Sequence, residues 1–402
     1  MHSIEDYRKI VGDEAISTVY RKARKLAGKH ILEVNSTFTG GGVAEMLGSL
    51  IRLFNDVGVD TDWAILHGSP DFFEITKAFH NALQGDGIHL TDIKKEVYLQ
   101  TNEEFYSYTH IRHDAVIVHD VQPLPIISYS RRSVPWIWRC HVDLSCPDRD
   151  LWDYLKQYLL RYNLMVVSNT NYLKEDLPVD QKVVFPAIDP LSSKNMDLPD
   201  EVVEKTLSKF GIRTDKPLVC QISRFDPWKD PEGVLKVFSM MKKRCDCRLV
   251  LCGSMAADDP QGMEIYDRTR KMAAKWIRSG DVILLTTENN ILVNSLQRAS
   301  EVVVQKSIRE GFGLTVSEAL WKQTPVVGSN VGGIPLQIVD GVNGYLVDPR
   351  DLGACADRVL ELLHDPDLAR EMGRKGRELI RHNFLITRLV SDWLDILTSA
   401  LT

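Results

Sequence analysis

A doubly wound α/β architecture, built as two successive units, is the fold class this sequence predicts. Three observations carry it. Short β-branched runs alternate with longer stretches of 3.6-residue period along almost the whole chain, the pattern of βα units around a parallel sheet. The alternation breaks once, over residues 186–199, where Pro186, Pro190 and Pro199 stand among Ser192, Ser193 and Asn195, and then restarts. The chain's 402 residues also exceed what one hydrophobic core usually serves.

Residues 4–26 open the chain as a charged helical stretch. Strands of the first sheet are expected at 31–36, 62–66, 115–119, 135–140, 165–168 and 183–185, where apolar residues run together as they do in strands buried on both faces. Helical patterns lie between them, such as 43–54, whose Met46, Leu47, Leu50, Ile51 and Phe54 share one face. Beyond the break, strands are expected at 218–223, 248–252, 282–286, 302–305, 325–328 and 344–347. Helices at 231–243, 258–278, 291–298 and 315–322 alternate with them, and helices at 352–363, 368–381 and 385–401 close the chain. The domains are therefore placed at 1–190 and 191–384. Two such units facing each other would bring the carboxyl ends of both sets of strands to one cleft, where folds of this kind bind ligands.

Composition excludes several classes. Hydrophobic residues make up 44% and charged residues 26%, which speaks against disorder and fibrous structure. Forty-nine Lys and Arg against fifty-five Asp and Glu give a net charge of −6, so no overall positive field exists to hold nucleic acid. No apolar run is long enough to cross a bilayer, and residues 1–9 lack the pattern of a secretory signal, so the expected compartment is the cytoplasm. Seven cysteines, an odd number with Cys220, Cys252 and Cys355 inside apolar runs, read as reduced thiols, and Cys245 and Cys247 lack metal-ligand spacing.

Five segments carry chemistry. Residues 35–44 join a strand to a helix through Gly40, Gly41 and Gly42, which let backbone amides approach a sugar or anion. The dinucleotide fingerprint fails there at Glu45, no Walker lysine follows, and a plain tight turn remains an alternative. Two apolar strands end in polar pairs, His119-Asp120 and His141 with Asp143, at the mouth of the expected crevice. Arg224 and Lys229 share one strand-to-helix loop, suited to neutralising a phosphate-type leaving group, with ordinary solvated charge as the alternative. The most specific run is 307–320: a strand leads through Glu310, Gly311, Phe312 and Gly313 into a helix whose free amides near Leu314 and Thr315 suit a diphosphate. Glu310 and Glu318, eight residues apart, suit paired hydroxyls; a dipole-favoured helix residue is the alternative, stronger for Glu318.

These residues resemble the retaining glycosyltransferases of the GT-B fold, two Rossmann-like domains that use nucleotide sugars, over nearly the whole chain. The resemblance implies that Glu310 contacts the donor sugar, Glu318 the ribose, Arg224 and Lys229 the diphosphate, and His141 the sugar near the reacting carbon, with His141, Arg224, Lys229 and Glu310 as the catalytic set. Gly41, Gly42, Gly311, Phe312, Gly313, Leu314 and Thr315 complete the donor site, and Asp120, His141 and Asp143 the sugar or acceptor side. It also implies that a last helix, about 385–402, packs back on the first domain. Residues 141–152 and 185–192 are most similar to the group that comprises the trehalose glycosyltransferring synthases and trehalose phosphorylases. The implied reaction joins glucose from NDP-glucose to free glucose, giving α,α-trehalose and NDP, reversibly and with retention. Alternatives are a trehalose phosphorylase using inorganic phosphate, a sucrose or glucan synthase of the same fold, and a non-catalytic sugar-nucleotide sensor. No cofactor is required, although Mg2+ could accompany the diphosphate. The expected partners are NDP-glucose and glucose, without nucleic acid or membrane, and a homodimer is allowed. The preferred base is left open.

Overall fold

The computed structural model describes residues 2–38, 41–131, 133–253 and 260–402. The chain divides into two compact units, Met1–Ala187 with Ile386–Thr402, and Ile188–Leu385.

The first unit is built on six parallel strands, β1 (His30–Asn35), β2 (Asp60–Ile65), β3 (Ala115–His119), β4 (Trp136–Arg139), β5 (Leu164–Val167) and β6 (Asp180–Val183), in the order β2-β1-β3-β4-β5-β6. Leu32, Val34, Val116, Val118, Trp138 and Met165 fill its core, explaining why these strands read as continuous apolar runs. The expected opening helix is broken: Gly12 at φ 87 separates Arg8–Val11 from Asp13–Ala23. The last strand also moves. Residues 180–183, not 183–185, pair with β5, Leu164 opposite Asp180 and Val167 opposite Val183. An edge strand with alternating exposure carries a polar sequence, Asp-Gln-Lys-Val, and so escapes a search for apolar runs. Three further helices, Pro70–Leu83, Asp92–Tyr108 and Arg149–Leu159, start at Ser69, Thr91 and Asp148, whose side chains accept from the third amide on.

The second unit repeats the plan with β7 (Leu218–Ile222), β8 (Arg248–Gly253), β9 (Val282–Thr286), β10 (Val302–Gln305), β11 (Val326–Ser329) and β12 (Gly344–Val347), ordered β12-β11-β10-β7-β8-β9 and all parallel. The helix expected from 258 begins at Pro260, and residue 258 lies outside the described residues. Within the break expected over residues 186–199, the part from Ile188 onward belongs to the second unit, and Asn294 Nδ2 donates to Ser193 O at 3.1 Å and Met196 O at 2.8 Å. Helix Asp200–Lys209 follows, opened at Pro199. No described helix is long and apolar enough to cross a membrane.

Candidate active site

In the second unit the strand order reverses between β10 and β7, so the loops leaving these strands flank the point where a doubly wound sheet opens at its carboxyl end. Three hydrogen bonds tie the loops together. Ile308 N donates to Trp228 O at 2.7 Å, Lys306 N to Gln221 Oε1 at 3.0 Å, and Gln221 Nε2 to Lys229 O at 2.8 Å. Asp230, at φ 45, caps helix Pro231–Met241 by accepting from Gly233 N at 2.9 Å, and its other oxygen takes the ammonium of buried Lys306.

This lock delivers Lys229 to Glu310, Nζ to Oε2 at 2.6 Å. The same oxygen accepts from Ser307 Oγ at 3.0 Å and Gln305 Nε2 at 3.1 Å, while Thr315 Oγ1 donates to Gln305 Oε1 at 2.9 Å. Gln305 and Ser307 were not singled out from the sequence; their signal is polar residues at the carboxyl end of an apolar strand. Arg224 is half-exposed, with Nη2 3.7 Å from Asp226 Oδ2. Gly313, at φ 82, precedes helix Leu314–Trp321, whose start has no side-chain cap; Val316 N donates to Gly313 O at 2.9 Å, and the amides of Leu314 and Thr315 are the ones placed for an anion. The turn is tightly packed: a Cβ at Gly333 would stand 2.6 Å from Phe312 Cα.

Glu318 lies in the same helix with other neighbours. It is buried, its Oε1 is 3.9 Å from Lys194 Nζ, and its Oε2 is buried without a hydrogen-bond partner among the described residues. An unsatisfied buried carboxylate oxygen calls for a hydrogen-bond donor. Lys322, one turn on, donates to Glu318 O at 3.0 Å and Asn195 Oδ1 at 2.8 Å, and burial pulls its pKa down to about 7.

In the first unit the reversal falls between β1 and β3. The loop after β1 ends at Gly41, φ 88, which precedes helix Gly42–Asp56; Gly40 lies outside the described residues. Asp120, at φ 59 directly after β3, accepts from His141 N at 2.7 Å through Oδ1 and from Trp138 Nε1 at 2.8 Å through its carbonyl. Burial raises the Asp120 carboxyl, opposed by that His141 amide. His141 Nε2 lies 2.9 Å from His119 Nδ1, and His119 Nε2 lies 2.6 Å from Glu33 Oε2. Burial, then Arg139 and His119, hold the His141 imidazole well below its ordinary pKa. Arg139 is itself buried and lowered to about 10, donating to Ser168 Oγ at 3.0 Å and Val184 O at 2.9 Å. Asp143 is buried and accepts from Ser145 N at 2.8 Å, which shapes its own turn. Glu33 was not anticipated, although an acid inside an apolar strand was a visible signal.

Among the described residues, the group with metal-holding geometry is His30, Asp62 and His113, with ligand atoms within 4.8 Å of one another, at the amino ends of β1, β2 and β3 rather than at these loops. Around the glycine turn the described carboxylates face cations, Glu310 to Lys229, Asp226 to Arg224 and Asp230 to Lys306.

Two doubly wound units, with cations and an uncapped helix start at a strand-order reversal, match the layout expected of a glycosyltransferase of the GT-B fold. Solved structures agree on the fold: sucrose-phosphate synthase from Thermosynechococcus elongatus has TM-score 0.73 at 18% identity, covering 92% of this chain and 100% of that one. The trehalose-6-phosphate synthase OtsA has TM-score 0.75 at 13% identity, covering 92% and 98%. Residues 33–174 match the family described as trehalose synthase, N-terminal domain, and residues 202–379 match glycosyl transferases group 1. The chain is 43% identical to the trehalose synthase of Thermococcus litoralis, over 98% of this chain and 97% of that protein. It is also 43% identical to the trehalose synthase of Rubrobacter xylanophilus, over 99% and 97%. The trehalose phosphorylase of Grifola frondosa is 30% identical, with 93% of this chain matching 58% of that protein. The chain belongs to the trehalose synthase family.

Proposed function

We propose that this protein joins glucose from an NDP-glucose to free glucose, giving α,α-trehalose and NDP. The observation that carries the reading is the near full-length identity with trehalose synthases; the phosphorylase match is weaker and leaves over two-fifths of that protein unmatched.

In this reading the bond between the sugar's anomeric carbon and the diphosphate oxygen breaks, and its electron pair stays on the diphosphate. The anomeric hydroxyl oxygen of the acceptor glucose forms the new bond on the same face, and its proton passes to the leaving phosphate. Negative charge grows on the diphosphate, where Arg224, Lys229 and the amides at Leu314 and Thr315 stabilise it. Glu310, anchored by Lys229, Ser307 and Gln305, accepts from donor-sugar hydroxyls; Glu318 Oε2 accepts from the ribose. Gly311, Phe312 and Gly313 set the turn, Gly41 and Gly42 line the first-unit loop, and Asp120, His141 and Asp143 serve the sugar side. Mg2+, where it takes part, rides on the diphosphate.

The test is incubation of the protein with ADP-, GDP- or UDP-glucose and glucose, scoring a non-reducing disaccharide. Phosphate-dependent but not NDP-dependent cleavage of trehalose would make it a phosphorylase, and nucleotide binding without turnover would make it a sensor.

A further inference from the structure

Glu33, His119 and His141 form a line across three adjacent strands of the first sheet. Glu33 lies in β1, His119 ends β3 and His141 follows β4, so the line crosses the point where strand order reverses. Glu33 and His119 are buried, and His141 is partly exposed. Glu33 Oε1 is buried with no hydrogen-bond partner among the described residues, so the contact of Oε2 with His119 at 2.6 Å is the polar contact the structure gives this carboxylate. Taking a carboxylate out of water for one imidazole is costly, and packing alone would be met better by leucine or methionine.

We propose that Glu33 and His119 are positioning residues that fix the tautomer and ring orientation of His141, leaving its Nδ1 as a hydrogen-bond acceptor for a sugar hydroxyl. The direction follows from donor and acceptor chemistry. A carboxylate only accepts, so His119 Nε2 carries the hydrogen toward Glu33. In the proposed relay His119 stays neutral, so its Nδ1 is bare and accepts from His141 Nε2–H at 2.9 Å. His141, neutral and with its hydrogen on Nε2, presents the lone pair of Nδ1. Its backbone is held separately, by the hydrogen bond that its N–H donates to Asp120 Oδ1 at 2.7 Å, so the line sets the ring and Asp120 sets the chain. A buried carboxylate that orients an imidazole through its far nitrogen is the same logic that fixes histidines in hydrolytic triads.

The inference rests on the proposed sugar contact of His141, and the test separates the two. Glu33→Gln keeps the volume but offers an amide N–H to His119 Nε2; His119 then donates from Nδ1, and His141 reverses to the Nδ1–H tautomer. Nitrogen-15 NMR of histidine-labelled full-length protein should show His141 protonated at Nε2 in the parent and at Nδ1 in the variant. Transfer should fall about 10–100-fold, the range for losing the outer partner of an orienting histidine. Affinity for the nucleoside diphosphate alone should not change, since Glu33 lies in the unit without Arg224 and Lys229; this also reports that the variant is folded. Glu33→Asp, which keeps an acceptor, should recover part of the rate. One deoxyglucose donor or acceptor, poorly used by the parent, should be rejected less strongly by Glu33→Gln. Glu33→Met, which offers His119 Nε2 no acceptor at all, should give the same reversal, and an unchanged His141 tautomer in both variants overturns the relay. A reversed tautomer with an unchanged rate overturns the sugar contact of His141 instead.

Discussion

Lys229 meets Glu310 from the loop after a different strand, and the pair shows how each residue of the site depends on its partner. Lys229→Ala removes a cation from the leaving-group side and strips Glu310 of its ion pair. Loss of one preorganised donor costs about 2.7–4 kcal/mol of transition-state stabilisation, so turnover should fall at least about a hundredfold. Arg224→Ala should show a loss of the same order, and steady-state kinetics in which both variants keep near-parental kcat would refute the diphosphate assignment. Lys322 offers a prediction about stability. Its folded pKa of about 7 lies below the ordinary lysine value, because burial disfavours the ammonium. Above about pH 7 the folded chain releases this proton while the unfolded chain keeps it up to the ordinary lysine range. The unfolded state therefore binds more protons across that window, and stability rises with pH there. Denaturant midpoints of Lys322→Met measured from pH 7 upward should be flatter than those of the parent; an unchanged slope would place the proton release elsewhere. The positions of Arg224 and Lys229 after β7 and of Glu310 after β10 were legible, because the carboxyl end of a strand has a sequence position. Lys194, Lys322 and Gln305 were not, because their roles come from neighbours distant in sequence.

The glycine turn between β10 and helix Leu314–Trp321 is the element on which the second unit's site depends. Gly313 holds φ 82, and a Cβ there would sit 3.2 Å from Glu310 Cγ. Gly313→Ala should therefore cost on the order of 1–2 kcal/mol from the left-handed backbone alone. It should also raise the KM for the sugar nucleotide, since Glu310 must shift to make room. A variant with parental melting temperature and KM would show the turn to be slack. Elements with strong periodicity were placed from the sequence to within a few residues, as with β10 at 302–305 and helix Ile386–Leu401. Where pattern weakened, placement failed. The edge strand β6 is polar because one side lacks a neighbouring strand, and the opening helix is split by a glycine whose positive φ no hydrophobic pattern announces.

At the scale of the molecule, the chain ends in the unit where it began. Helix Ile386–Leu401 packs on Asp13–Ala23 and Gly42–Asp56, with Lys22 Nζ 2.7 Å from Ser391 Oγ and 2.6 Å from Asp395 Oδ2. Trp393, 1% exposed, is the largest buried side chain of that helix. Trp393→Ala should destabilise the first unit by about 3–5 kcal/mol. Nucleoside-diphosphate affinity, which the proposed function assigns to the second unit, should persist; equal loss in both would show that the two units unfold as one. Local pattern was enough to settle the number of strands, the repeated βα plan, and the loops that carry Arg224, Lys229, Glu310 and Glu318, because periodicity and glycine placement act over a few residues. Strand order, the lock between the loops after β7 and β10, and the Glu33–His119–His141 line needed the folded chain. Each brings together side chains tens of residues apart, and hydrogen-bond distances between such groups are set by sheet register and packing, which no short stretch of sequence encodes.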